Sequence, residues 1–177
     1  MDDIRTNTLI IGCGIAGAAT ALRLSDNPAH HVTIITRASD AADTNSSWAQ
    51  GGIVTRSLDD SPDLLVHDIL EAGAGLSSPK AARLLAEVGP ELVRSVLMER
   101  CGVKFDRDER GELVYGLEGA HSVRRIIHVG DKTGGAIVKG MLDTMATRPN
   151  VTLLVDHTAV DLITFPHHAL DPVAVYD

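Results

Sequence analysis

Aromatic residues make up only 3% of the 177-residue chain, with one Trp, two Tyr and two Phe. So few flat side chains exclude a surface built to stack nucleobases. Positive charge is also scarce: 16 Lys and Arg stand against 24 Asp and Glu, a formal net charge of −8. A phosphate backbone would meet no attractive field, so nucleic acid is excluded as a partner. Cysteine occurs at 13 and 101 only. Disulfide-stapled scaffolds and zinc modules need more cysteines at closer spacing, so no metal site is expected. No apolar run approaches the roughly 18 residues of a membrane span. The start, MDDIRTNTLIIGCG, lacks the basic segment of a secretory signal. The expectation is a soluble, cytoplasmic protein with no membrane partner, long enough for one core-bearing domain.

Against these absences, glycine is concentrated in one place. Gly12, Gly14 and Gly17 fall within LIIGCGIAGAAT, directly after an apolar run. The β-branched run Thr8–Ile11 reads as a buried strand, and Ala16–Leu24 as a helix with an apolar face. Val32–Thr36 reads as a second buried strand. Strand, glycine turn, helix and strand within so short a span form a βαβ unit, which implies a parallel sheet. Residues 37–60 are polar and show no period, and a loop of that length inside a domain is expected to bind something. Ser61-Pro62 and Ser78-Pro79 each place a capping residue before a proline at a helix start. Gly89-Pro90 is expected to break the second of these helices and Gly102 to end it. Residues 103–116 read as a hairpin turning near Gly111, Thr133–Thr147 as a helix, and Val151–Val155 and Thr158–Phe165 as strands, with a further strand beginning at Val173–Tyr176.

In a dinucleotide-binding βαβ unit the first glycine makes the tight turn and the second admits the pyrophosphate. The third lets helix and strand pack closely, with the phosphates at the helix N-terminus. Gly12, Gly14 and Gly17 match these three roles in the required context. The usual ribose-binding acid at the end of the second strand is absent, and Arg37 stands there. An arginine suits a 2′-phosphate and also suits a solvent-exposed strand end, so local chemistry leaves the dinucleotide open. Glu118, His121, Arg124, Arg125 and His128 form the densest cluster of ionisable residues. Guanidinium groups fit a dicarboxylate, and a carboxylate fits a substrate ammonium; a charged turn with internal ion pairs is the plainer alternative. Trp48 suits either a core position or a cover over a ring. Cys13 reads as a small residue filling the phosphate turn rather than a nucleophile.

Three stretches occur in one order: GCGIAG at 12–17, NSSWAQGGI at 45–53 and EGAHSVRRIIHVGDKTG at 118–134. In this order they resemble flavoproteins of the succinate dehydrogenase/fumarate reductase family, in particular its aspartate-oxidising branch. The resemblance implies an α/β, Rossmann-like FAD-binding domain over residues 1–177, with a parallel sheet and flanking helices. Cys13, Gly14, Ile15, Ala16 and Gly17 would then lie by the pyrophosphate, and Arg37 would replace the ribose-binding acid. Asn45, Ser46, Ser47, Trp48, Ala49, Gln50, Gly51 and Gly52 would line the flavin, and Val160 would meet the adenine. Family members that bind FAD covalently use a histidine in this segment. Asn45 at that position implies non-covalent FAD. Glu118 would face the substrate, with His121 beside it. The implied substrate is L-aspartate, with oxygen or fumarate as electron acceptor. Alternatives are a succinate- or fumarate-type flavoprotein and a catalytically inactive nucleotide-binding remnant. The family's catalytic arginine belongs to a capping domain, and neither that domain nor the C-terminal helical domain has a counterpart here. The expectation is therefore an FAD-binding domain incomplete at its C-terminus, lacking a C-terminal half and inactive in isolation.

Overall fold

β-Branched residues favour a pleated backbone, and the two richest runs form adjacent strands. The computed structural model describes residues 3–162. Strand β1 (Thr8–Ile11) leads through the glycine turn into helix α1 (Ile15–Leu24), which returns the chain to β2 (Val32–Ile35). β1 and β2 pair in parallel with Thr8 opposite Val32 and Ile11 opposite Ile35. β5 (Val151–Leu154) adds to the other side of β2, again in parallel, so the sheet order is β1-β2-β5. The expected βαβ unit and α/β class are present.

Two prolines begin helices as the sequence indicates. Helix α2 runs over Pro62–Ala72, with the Ser61 hydroxyl accepting from the Leu64 N–H; α3 runs over Pro79–Leu92, with Ser78 accepting from Ala81. Each cap satisfies one backbone donor that the first turn leaves unpaired. Gly89-Pro90 does not break α3. The helix passes through Pro90 and continues as a π-helical segment, Val93–Arg100, which Gly102 ends at φ +65°. Helix α4 (Thr133–Ala146) precedes β5.

The core lies between the sheet and one helical layer. Ala18, Ala21 and Leu22 of α1 meet Ile137, Met141 and Met145 of α4, Val93 and Leu97 of the π segment, and Val32 and Ile34 of β2. Two expectations are corrected here. β1 is not fully buried, because it is an edge strand among the described residues and leaves Leu9 and Ile11 at 50% and 66% exposed. The 37–60 loop is not wholly irregular: it contains β3 (Ile53–Val54), antiparallel to β4 (Ile126–Ile127). The hairpin is reduced to a bridge between Arg107 and Leu113 around Gly111 at φ +82°. Residues 158–162 form no strand. The remainder of that expected strand, and Val173–Tyr176, lie outside the described residues.

Candidate cofactor site

The glycine turn is held by the strand beside it. Gly12 adopts φ +97°, a conformation that side chains rarely accept, and its N–H donates to Ile35 O at 2.8 Å. Gly17 crosses so close to this turn that an added Cβ would lie 2.0 Å from Gly12 O. The third glycine therefore permits helix and strand to touch, as the sequence pattern requires. Cys13 is buried, with its Sγ–H directed at Ala41 O 2.9 Å away. Its position fits packing between turn and loop and no nucleophilic role.

Helix α1 begins with Gly14 as its N-cap, without a side-chain cap of its own and without an acidic residue in its first turn. The Ser46 hydroxyl from the long loop fills part of that gap, accepting from the Ile15 N–H at 3.2 Å. The Gly14, Ala16 and Gly17 amides take no acceptor from the chain among the described residues. Unengaged amides at a helix N-terminus form a ready anion site.

A cleft of about 440 Å³ opens at this point. Gly12, Cys13 and Gly14 line its floor, Arg37 follows β2 at one side, and Asn45 and Ser46 close the other. His157, Thr158 and Ala159, just beyond β5, complete the wall. The cleft thus lies outside the carboxyl ends of three parallel strands, where open α/β sheets bind their ligands. Val160 is 94% exposed next to this wall and is not part of the lining.

The rest of the loop divides by direction. Ser47 turns inward, its hydroxyl donating to Ala42 O at 2.5 Å and lying 3.2 Å from the Thr44 hydroxyl, so it holds the loop's own shape. Trp48 is 75% exposed, which overturns the core reading; its indole N–H points at Asp43 Oδ1, 3.4 Å away. Ala49, Gln50 and Gly51 are exposed. Below them the Gly134 N–H donates to Ala49 O at 2.9 Å, and a Cβ at 134 would lie 2.1 Å from Ser46 O. Gly134 therefore lets the start of α4 support the loop, a role visible in the quoted motif only as a glycine without an assigned task.

Gly51 and Gly52 meet the charged cluster. Glu118 Oε1 accepts from the Gly52 N–H at 3.2 Å and lies 3.0 Å from His128 Nε2. The Gly52 hydrogen bond, then His128, hold the Glu118 carboxyl below its ordinary value of 4.5. Other members of the cluster serve different ends. Arg125 is fully buried, with Nη1 2.5 Å from Asp68 Oδ2 and Nη2 2.9 Å from Asp60 Oδ1. Asp68 also accepts from the Ser122 N–H and hydroxyl, at 2.9 and 3.0 Å. His121 Nδ1 lies 2.9 Å from Arg125 Nη1. The internal ion-pair reading thus describes Arg125, which is unavailable to a substrate, while Arg124 stays exposed. Sequence reasoning did not single out Asp60 and Asp68, because each lies far along the chain from the arginine it serves.

A glycine-turn βαβ unit with free helix amides, a polar cleft at the strand ends and an inserted loop closing it defines a dinucleotide-binding domain of flavoprotein type. The chain belongs to the FAD binding domain family, whose model matches residues 7–173. Within that family it is similar to curated L-aspartate oxidases. It is 41% identical over 158 residues to L-aspartate oxidase 1 of Ralstonia nicotianae, covering 88% of this chain and 29% of that protein. It is also 41% identical over 149 residues to the L-aspartate oxidase of Agrobacterium fabrum, covering 83% of this chain and 28% of that protein. The chain therefore spans less than a third of the length of these relatives. In fold it superposes on a quinol fumarate reductase chain of Escherichia coli with a TM-score of 0.85 at 21% identity, covering 94% of this chain and 28% of that one. The cofactor that this family membership implies is FAD, and the cleft fits it: unengaged amides face the phosphate position, and Gly12 leaves open space where a Cβ would stand.

Proposed function

We propose that the chain supplies the FAD-holding part of an enzyme that oxidises L-aspartate to iminoaspartate, a step of de novo NAD biosynthesis in the cytoplasm. Bound FAD supplies the hydride acceptor, and oxygen or fumarate takes the electrons in the end. The Gly14, Ala16 and Gly17 amides hold the pyrophosphate, helped by the Ser46 hydroxyl, which keeps its own proton to donate. Arg37, exposed at the end of β2, meets the ribose side. Residues Asn45–Gly52 lie along the flavin, where the exposed Gly51 keeps a Cβ out of the ring's way, while Gly52 lets the loop close onto β4 and His128. Asn45 offers no imidazole for a covalent bond, so FAD is held non-covalently.

One observation favours an amino acid over succinate. Glu118 is a carboxylate fixed by the Gly52 amide, kept ionised, and 44% exposed at its side chain. A fixed anion beside the flavin segment attracts a substrate ammonium, a group that L-aspartate carries and succinate lacks. The experiment is a chimera in which residues 7–162 replace the corresponding segment of the Ralstonia enzyme. The FAD-loaded chimera is expected to lose its oxidised-flavin absorbance on anaerobic addition of L-aspartate and to keep it with succinate. A folded, flavin-bound chimera that responds to succinate instead, or to neither, contradicts the reading.

A further inference from the structure

His128 occupies a slot made by two glycines. A Cβ added to Gly52 would lie 2.7 Å from its Nε2, and one added to Gly116 would lie 2.8 Å from its Cε1. The backbone on both sides of the ring is tied down. Ile53 and Ile127 pair across β3 and β4, Gly116 N–H donates to Ile126 O at 2.7 Å, and His128 O accepts from Asp106 N–H at 2.8 Å. The imidazole is thus flanked by main chain at Gly52 and Gly116, and its Nε2 is aimed at Glu118 Oε1.

Proton positions follow from the acceptor. An ionised carboxylate has no hydrogen to give, so His128 Nε2 is the donor and Glu118 Oε1 receives two hydrogen bonds, one from the ring and one from Gly52. No protein donor reaches Glu118 Oε2 among the described residues. One oxygen is saturated and fixed; the other is free.

We infer that His128 is a positioning residue for amine recognition: by holding Glu118 Oε1 it presents Oε2 as a single, oriented acceptor for a primary ammonium on a short dicarboxylate. The inference rests on the proposed reading that Glu118 faces the substrate. His128 does not touch substrate itself. Selectivity for an amino dicarboxylate over its deaminated counterpart then depends on the pair and not on Glu118 alone, because the Gly52 hydrogen bond by itself leaves the carboxylate free to turn about Oε1 and spread its charge over many orientations.

The test uses the full chain saturated with FAD, labelled so that the Glu118 side-chain carboxyl is followed by carbon-13 NMR, with L-aspartate and succinate as probes. In the wild-type chain L-aspartate is expected to shift the Glu118 signal and succinate to leave it in place. His128→Phe should raise the Glu118 titration midpoint and weaken L-aspartate about tenfold, the loss of one charge-assisted hydrogen bond. His128→Gln, whose amide can still donate, should retain most of the preference. Glu118→Gln, at a half-exposed side chain, is the second variant and guards against misfolding. It should abolish the preference, and adding His128→Phe to it should cost nothing further. A folded His128→Phe chain with an unchanged Glu118 midpoint and an intact preference overturns the inference and leaves aspartate oxidation standing. So does an additive loss in the double variant. If L-aspartate fails to move the wild-type Glu118 signal, the ammonium receptor is overturned. The chimera result then separates the cases: aspartate oxidation by the chimera confines the failure to this inference, and its absence removes both.

Discussion

Gly17 has less room for a side chain than either of the other two glycines of the phosphate turn. A methyl group there would sit 2.0 Å from Gly12 O, so Gly17→Ala must push α1 away from β1. The expected cost is about 1–3 kcal/mol, read as a lower urea midpoint, with weaker FAD binding in parallel because the free amides move with the helix. Arg125 is the opposite case, a residue whose removal leaves charge behind. With Asp60 and Asp68 buried around it, Arg125→Met should destabilise the chain by about 3–5 kcal/mol in the same assay. The two residues also differ in how far the sequence discloses them. Gly17 stands in a short pattern whose spacing is itself the mechanism. Arg125 looks in the sequence like its neighbour Arg124, and only the return of Asp60 and Asp68 from distant turns makes one arginine internal and the other external.

At the scale of elements, Pro90 shows why a local signal misled. Proline removes the N–H that would bond to the carbonyl four residues earlier, and this commonly stops a helix. Here that carbonyl belongs to Ala86, and the Arg56 guanidinium donates to it. A side chain from beyond β3 thus replaces the missing backbone donor, and the helix continues before slipping into the wider π turns at Val93–Arg100. Arg56→Met should therefore cost about 1–3 kcal/mol by leaving Ala86 O unsatisfied. Pro90→Ala should shrink that cost by restoring the backbone bond, so chemical denaturation of the double variant should show clear coupling. The Ser61-Pro62 and Ser78-Pro79 starts were legible because cap and first turn are contiguous in sequence. The continuity of α3 was not, because its support comes from a residue far from Pro90 in sequence. The short β3–β4 pair was hidden for the same reason: two-residue strands carry no readable period, and their partner lies in another motif.

In the whole molecule, the parallel sheet places one polar cleft at its carboxyl edge and one ionised carboxylate beside the inserted loop. Away from the cleft, the buried Asp68 sets part of the fold's response to pH. Burial alone would raise the Asp68 carboxyl, yet the Ser122 amide, Arg125 and the Ser122 hydroxyl together bring it below 3.8. A group whose folded value is depressed stabilises the fold above its unfolded value, and that contribution disappears as pH falls through the folded one. Stability should thus decline below pH ~4, and Asp68→Asn should start less stable and show a flatter decline there, as followed by thermal midpoints across an acid series. The fold class was legible at this scale because βαβ patterning is local. The cleft was legible in part: Gly12, Cys13, Gly14, Arg37, Asn45 and Ser46 do converge, while Val160 does not line it and Ser47 serves the loop.

The most direct test of the account is the absorbance spectrum of the purified chain titrated with FAD, recorded before and after acid precipitation. The account predicts a saturable flavin band at one equivalent that passes wholly into the acid supernatant. A folded chain that takes up no flavin at any FAD concentration, or flavin that stays in the acid pellet, would contradict it.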